Sequence, residues 1–330
     1  MANSASKASR LMHWLHGEVG PSHGTDPGEF NAAAVDETLR WVDPVFVERD
    51  PHRHGHDRHR RRGYFQCSYE GFEHIPDKPV MVVMNHSGGT TIPDVWGFLA
   101  KWYRTFGSSR PIHAMAHDLI FSLDNVGAFF AKRGVLRATR AACLRALMGY
   151  KRDVLVLPGG DRETWRPYNK RFECDFAGRT GYVRMAMEAG SRIVPVAHAG
   201  AHETLMVLTD GHQFAKAIGL QRIARAEIFP VHLSLPWGLA VGPWPHIPVP
   251  ASMRYRVSAP IETRWDGTGD RDDWVRLVDA NVRASIQRDL DVFAARTHGA
   301  APSATANGPR AERVMADGVP PENSARVSTR

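Results

Sequence analysis

Two spacings of apolar positions divide the chain. Met81-Val-Val-Met84 is a run of four apolar residues, the length of a strand buried on both faces, and it passes into the polar turn Asn85-His86-Ser87-Gly88-Gly89. Pro93 fits the first position of a following helix, where its fixed φ is already helical and no amide bond is lost. Val95, Trp96, Phe98, Leu99, Trp102 and Tyr103 then recur at helical spacing to about Arg104, a stripe expected to pack into the core. Ile112 to Ala116 reads as a strand and Leu119 to Lys132 as a helix. Thr139 to Tyr150 is a helix with Thr139 as its N-cap and Gly149 near its end. Asp153 to Leu157 is a buried strand stopped by Pro158-Gly159-Gly160, and Arg179 to Ala189 is an amphipathic helix stopped by Gly190. Ile193 to Ala197 is a further strand, whose Pro195 predicts an edge or irregular position.

Strand and helix therefore alternate from residue 81 to 200, the pattern of parallel βαβ units. The fold class that follows is α/β, a mostly parallel central sheet flanked by helices. Outside this block, a helix is expected around Val35, Leu39 and Val42, a strand over Tyr64–Glu70 and a helix over 211–225. Pro230–Pro250 reads as a Pro/Trp/Gly-rich loop, Arg254–Ala259 as a strand and Arg271–Arg296 as a closing helix. Residues 1–30 are expected to be a mobile N-terminal segment, 31–297 the folded domain and 298–330 a disordered tail.

Charge changes the picture in one respect. A net charge of +7 favours anionic partners such as phospholipid headgroups, nucleic acid or phosphate-bearing substrates. The run PHRHGHDRHRRRG at 51–63 adds to this; its histidines stand among arginines, without acidic or thiol ligands, so a foothold on anionic lipid is favoured over a metal site. Three scattered cysteines, Cys67, Cys143 and Cys174, fit a reducing compartment. With neither a signal-peptide pattern nor a span of about 20 apolar residues, the expected location is cytoplasmic, soluble or peripheral on the inner face of the cell membrane. Trp96, Trp102, Phe129, Phe130, Trp237 and Trp244 are candidate interfacial anchors.

The candidate chemistry sits where the first strand ends. His86 leaves a strand end beside two glycines with uncovered amides, and Asp94 lies in the first turn of the next helix. These are the parts of a general base, a residue that orients it, and backbone donors for an oxyanion. Five blocks in order, NHSGGTTIPD (85–94), GVLRATR (134–140), VLVLPGGDRE (154–163), GRTGYVRMAMEAGSRIVPVAHAGAHE (178–203) and PWGLAVGPWPHIPVP (236–250), resemble the glycerolipid/lysophospholipid acyltransferase superfamily. The resemblance covers about residues 35–290. It extends to the 1-acylglycerol-3-phosphate acyltransferases and, through LPGGDRE, to the monoacylglycerol/diacylglycerol acyltransferase-like branch. It implies a glycerol-3-phosphate acyltransferase-like fold.

In that family a His and an Asp separated by four residues form the catalytic pair. Here His86 matches, the corresponding position holds Thr91, and Asp94 lies beyond a longer glycine loop. The resemblance implies O-acyl transfer from acyl-CoA or acyl-carrier protein to the hydroxyl of a glycerolipid or lysophospholipid, with His86 as base, Asp94 orienting it and acyl-CoA as co-substrate. No cofactor, metal or nucleic acid is called for, and a membrane surface is the expected partner. Ser87, Gly88 and Gly89, through backbone N–H groups that could receive the oxyanion, and Arg137, Gly159, Gly160, Arg162 and Glu163, in the matched blocks, are the residues expected to bind substrate. Arg162 matches the family's acceptor-phosphate arginine, whereas Gly159 and Glu163 match the neutral-acceptor branch. Two other readings compete. A lipid esterase of the α/β-hydrolase type would need a Gly-x-Ser-x-Gly elbow, which the chain lacks. A non-catalytic, basic lipid-binding protein would not need His86 and Asp94.

Overall fold

The computed structural model describes residues 23–49, 63–213 and 228–298. The basic run at 51–62, most of the helix expected over 211–225, residues 1–22 and the tail from 299 lie outside the described residues. The strands are β1 (Phe46–Glu48), β2 (Phe65–Glu70), β3 (Met81–Met84), β4 (Ile112–Ala116), β5 (Leu136–Arg137), β6 (Asp153–Val156), β7 (Ile193–Ala199), β8 (Met206–Thr209), β9 (Val231–Ser234), β10 (Gly238–Val241) and β11 (Ser252–Val257). The helices are α1 (Ala32–Val42), α2 (Pro93–Phe106), α3 (Asp124–Lys132), α4 (Arg140–Leu144), α5 (Gly160–Thr164), α6 (Gly181–Ala189) and α7 (Arg271–Thr297).

Eight strands form one sheet in the order β1-β2-β11-β7-β3-β6-β4-β5, and β8, β9 and β10 form a small antiparallel sheet of their own. Every neighbouring pair in the large sheet is parallel except β11 with β7. Strand β3 lies near its centre, between β7 and β6. Its side chains alternate between two cores. Val82 and Met84 pack with Val95, Phe98 and Trp102 of α2, while Met81 and Val83 pack with Val183 of α6 and Val282 and Ile286 of α7. Helices on both faces are the reason that four consecutive apolar residues make one strand.

The aromatic stripe of α2 is core, as its spacing predicts. Trp102 is fully buried and its indole N–H donates to Arg110 O at 3.0 Å, so it is not an interfacial anchor. Trp96 is half-buried between Trp41 and Phe130.

Several expectations are corrected. Pro195 is in a central strand, not at an edge: β7 is flanked by β3 and β11. Its carbonyl accepts from Ser258 N at 2.9 Å on the β11 side, just beyond the last paired residues of that ladder, Val257 and Val196. The missing amide falls on that same side, so the β3 ladder is left whole. The helix expected over 119–132 is broken into a 3-10 turn, Asp118–Phe121, and α3. Helix α4 begins at its Thr139 cap, whose hydroxyl accepts from Ala142 N at 3.2 Å, and ends in a π turn over Arg145–Gly149. Residues 230–250 are not a plain loop but contain the β9–β10 hairpin.

Residues 23–30, expected to be mobile, are packed on the domain. Gly24 O accepts from Arg137 N at 2.8 Å, Asn31 N donates to Lys132 O at 2.8 Å, and Glu29 accepts from Gly24 N at 2.8 Å. Bonds of this kind leave no apolar period in a sequence, which is why the segment reads as loose.

Candidate active site

Strands β3 and β6 run parallel with Val83 opposite Val156. The segments that leave their carboxyl ends, Asn85–Gly89 and Pro158–Gly160, are therefore neighbours, where open α/β sheets place their ligands. Asn85 fixes the first of them to the sheet. Its side chain donates to His198 O at 2.9 Å and accepts from His198 N at 2.8 Å, adding a side-chain rung between β3 and β7.

After His86 the chain loops outward and returns. Gly88 and Gly89 take positive φ (98° and 63°), a short 3-10 turn spans Gly89–Thr91, and Pro93 opens α2. Ile92 is left-handed (φ 42°, ψ 50°), a conformation costing a β-branched residue on the order of 1–3 kcal/mol. The surrounding bonds hold it. Asp94 Oδ2 accepts from Ser87 N at 2.9 Å and lies 2.6 Å from His86 Nδ1, and Tyr255 Oη donates to Asp94 O at 3.0 Å. The eight-residue step from His86 to Asp94 is thus closed by the carboxylate across the base of its own loop. Thr91, at the family's usual aspartate position, turns instead toward His246 Nε2 at 3.2 Å.

A carboxylate only accepts, so Nδ1 carries the proton in this pair and Nε2 is the free nitrogen of a neutral ring. The His86 side chain keeps 13% exposure, and Nε2 makes no hydrogen bond among the described residues. Burial pulls the imidazole pKa down, but the Asp94 charge and its hydrogen bond outweigh it and leave the pKa above the ordinary histidine value. For Asp94, fully buried, desolvation pushes up and the His86 charge prevails, holding the carboxyl below its usual range.

The glycine turn is tightly seated. A Cβ on Gly88 would lie 2.6 Å from Pro93 Cδ, and one on Gly89 2.6 Å from the His246 ring. Gly88→Ala is expected to destabilise the fold by about 1–3 kcal/mol through positive-φ strain and this clash. Thermal melting checks it, and an unchanged Tm would show that the turn yields freely.

The residues expected to bind substrate have diverse positions. The Ser87 amide is taken by Asp94, whereas those of Gly88 and Gly89 make no hydrogen bond among the described residues. Glu163 is fully buried and its carboxylate is occupied: Oε2 accepts from His86 N at 3.1 Å, and Oε1 from Asp175 N at 3.1 Å and from the Arg166 guanidinium. It is a clamp on the His86 backbone, not a surface offered to substrate. Gly159 makes room for it, since a Cβ there would stand 2.1 Å from Glu163 Cγ. Gly160 has positive φ (53°), and Arg179 Nη1 ties the turn by donating to Pro158 O and Gly159 O at 3.1 and 3.0 Å. Arg137 is committed to Asp118 Oδ1 at 3.1 Å and His23 O at 2.9 Å, against the ring of Phe121. Arg162 is half-buried, and its guanidinium makes no ion pair or hydrogen bond among the described residues.

Asn85, Arg166, Arg179, His198 and Tyr255 were not singled out by sequence. Asn85, His198 and Tyr255 act through partners more than 100 residues distant, Arg179 reaches back 20 residues to Gly159, and the i,i+3 pairing of Arg166 with Glu163 was the one readable signal.

An apolar cavity opens beside the turn, between α1, α2 and α3, with Leu39, Ile92, Trp96, Leu99 and Phe130 in its wall.

Residues 66–199, from β2 to the end of β7, match the family model described as Acyltransferase. An uncharacterized protein of Mycobacterium tuberculosis is 27% identical over 87% of this chain and 73% of its own length. Another, from Mycobacterium leprae, is 26% identical over 69% of this chain and 60% of its own. Among solved structures, the 1-acyl-sn-glycerophosphate (LPA) acyltransferase PlsC of Thermotoga maritima aligns with 78% of this chain and 76% of its own at 16% identity and a TM-score of 0.39. The segment of this chain that is similar to the Acyltransferase family contains His86, Asp94 and the Pro158-Gly159-Gly160 turn.

Proposed function

We propose that the protein transfers a fatty acyl group from a thioester, acyl-CoA or acyl-carrier protein, to the hydroxyl of a glycerolipid or lysophospholipid. The observation that carries this reading is the 2.6 Å pair of His86 Nδ1 and Asp94 Oδ2, which leaves Nε2 as a base at the carboxyl end of the sheet. A thioester is already activated, so no enzyme nucleophile is needed. His86 Nε2 takes the proton of the acceptor hydroxyl as its oxygen attacks the thioester carbonyl. The C–O bond forms, the carbonyl oxygen becomes an oxyanion, and the amides of Gly88 and Gly89 are the donors left to receive it. Collapse of the adduct breaks the C–S bond, and the proton on His86 passes to the departing thiolate. Asp94 keeps the ring in one tautomer and stabilises the imidazolium, as the third member of a Ser-His-Asp triad does.

The apolar cavity walled by Ile92 and Trp96 suits the acyl chain. Arg162 is the cation best placed to meet an acceptor phosphate, because it adjoins Glu163 and carries no other charge partner among the described residues.

One experiment tests substrate and base together: a labelled acyl-CoA offered with lysophosphatidic acid, other lysophospholipids, monoacylglycerol and glycosylated acceptors, followed by a pH profile on the best acceptor. The acidic limb of kcat/KM is expected above pH 6.5, since Asp94 raises the His86 pKa and only the neutral ring accepts a proton. In Asp94→Asn the limb moves to lower pH, because burial and Arg166 are then opposed by the Glu163 charge alone. Transfer to none of the acceptors, or a limb that ignores Asp94→Asn, would sink the reading.

A further inference from the structure

The β8-β9-β10 sheet has its polarity reversed. Register places Met206, Leu233 and Leu239 side by side in one row across the three strands, and Val207, His232 and Ala240 in the next. The first row faces outward, at 43%, 49% and 66% exposure, while the second is buried, with His232 fully so and its ring tilted against Trp165, centroids 5.0 Å apart. A sheet with one wet face puts its polar side chains outward. Here a histidine is inside and the long aliphatic side chains are outside.

The turn that joins β9 to β10 and the segment that follows extend this apolar face. Trp237 and Trp244 are 53% and 52% exposed, with ring centroids 6.1 Å apart. Their indole N–H groups do not rely on water: Trp237 Nε1 donates to Pro245 O at 2.6 Å and Trp244 Nε1 to Val241 O at 2.8 Å. Both rings can enter an apolar medium without stranding a donor. From Ile228 to Met253 the sequence has no Asp, Glu, Lys or Arg, in a chain that is 23% charged.

We infer that this outward face inserts into the acyl-chain region of a lipid bilayer and brings the active site to the membrane surface. Charge complementarity favours a bilayer. The sheet has no charge to desolvate, while the net +7 of the chain is drawn to anionic headgroups around it. Continuity with the site favours it over a second copy of the chain. Thr90 Oγ1 donates to Trp244 O at 3.2 Å, and His246 sits against Thr91 and Gly89, so the apolar face continues into the loop that carries His86. A protein seated there would cover the rim of the site, whereas a bilayer is where an amphiphilic acceptor is held. Leu119 and Leu123, 59% and 63% exposed, follow the carboxyl end of β4, which runs parallel to β6 and β3, so they stand at the same end of the sheet as His86. The inference rests on the acyl-transfer reading only for the identity of the lipid delivered.

The test is flotation of the full chain with uncharged phosphatidylcholine vesicles in 1 M salt, where headgroup attraction is screened. Wild type is expected to float with the vesicles, and Leu233→Gln/Leu239→Gln to lose partitioning at least tenfold while retaining the wild-type melting temperature, since both side chains are exposed already. Transfer to a short-chain acceptor below its micellar concentration is expected to be unchanged in the double variant, and transfer to vesicle-embedded acceptor to fall by the same factor as partitioning. Absence of wild-type flotation, equal flotation of the variant, or a wild-type dimer that the variant converts to monomer in sedimentation would each overturn the inference. Flotation through this face with no transfer to any acceptor would leave it standing and remove the proposed activity instead.

Discussion

His86→Ala is expected to lower kcat/KM for acyl transfer by about 10²–10⁴-fold, the usual contribution of a positioned general base. The magnitude follows from the arrangement of the ring. Nδ1 is fixed by the buried Asp94 carboxylate at 2.6 Å and Nε2 is unused, so removal of the imidazole leaves no acceptor for the hydroxyl proton. The fold is expected to survive, because the side chain is partly exposed and its backbone anchor, His86 N to Glu163 Oε2, does not depend on the ring. Measurement of kcat and KM separately is informative. A base acts in the transition state, so the loss falls mainly on kcat; a loss confined to KM would make His86 a binding residue. Vesicle binding by His86→Ala is expected to equal that of wild type, which separates the enzyme from a non-catalytic lipid-binding protein.

The same pair ties stability to pH in the opposite sense. Because the folded pKa of His86 is raised, the stability contributed by its protonated form is complete below about pH 6.5 and is lost as pH rises through the folded value. Activity grows across the window in which this contribution fades.

Glu163→Ala is expected to destabilise the protein by about 3–5 kcal/mol, the cost of stranding a buried charge. Glu163 is fully buried and Arg166 is 4% exposed, so removal of the carboxylate leaves a guanidinium in the interior without a counter-charge. The amides of His86 and Asp175 lose their acceptor at the same time. A fall in Tm on the order of 10 °C is expected in a thermal melt, at the 2–4 °C per kcal/mol typical of larger domains. Glu163→Leu/Arg166→Met is expected to recover part of the stability, because an apolar pair of similar bulk removes the stranded charge. Activity is expected to stay low in the double variant, since the backbone of His86 remains unheld. A single variant that melts like wild type but shows a raised KM would restore Glu163 to the substrate-contact role that its motif position implies.

The difference between those two roles for Glu163 marks the limit of reading by motif. The block LPGGDRE placed Gly159, Gly160, Arg162 and Glu163 together beside the base, and the parallel pairing of β3 with β6 does bring them there. Which side chain turns inward was not written in the block. Glu163 and Gly159 form an internal packing pair, whereas Arg162 between them in sequence keeps its charge unmatched among the described residues. Arg137 occupies its motif position too, but its donors go to Asp118 and His23, and the latter belongs to a segment whose polar, aperiodic sequence gave no sign of packing.

By itself, the sequence determined the strand-to-helix alternation, the two-faced burial of β3, the helical stripe of α2, and a histidine and an aspartate flanking a glycine loop. These depend on local spacing, and spacing is what a linear chain carries. Only the tertiary structure decided that the longer loop folds back so that Asp94 meets His86, because that closure depends on a left-handed Ile92, a buried Ser87 amide and the distant Tyr255. It also turned a proline-rich stretch into a hairpin and set that hairpin's leucines outward. The alternation in Val231–Ser234 marks two faces, but which of them is wet depends on what lies behind the strand, here Trp165 and His246, some 66 residues before it and 12 after.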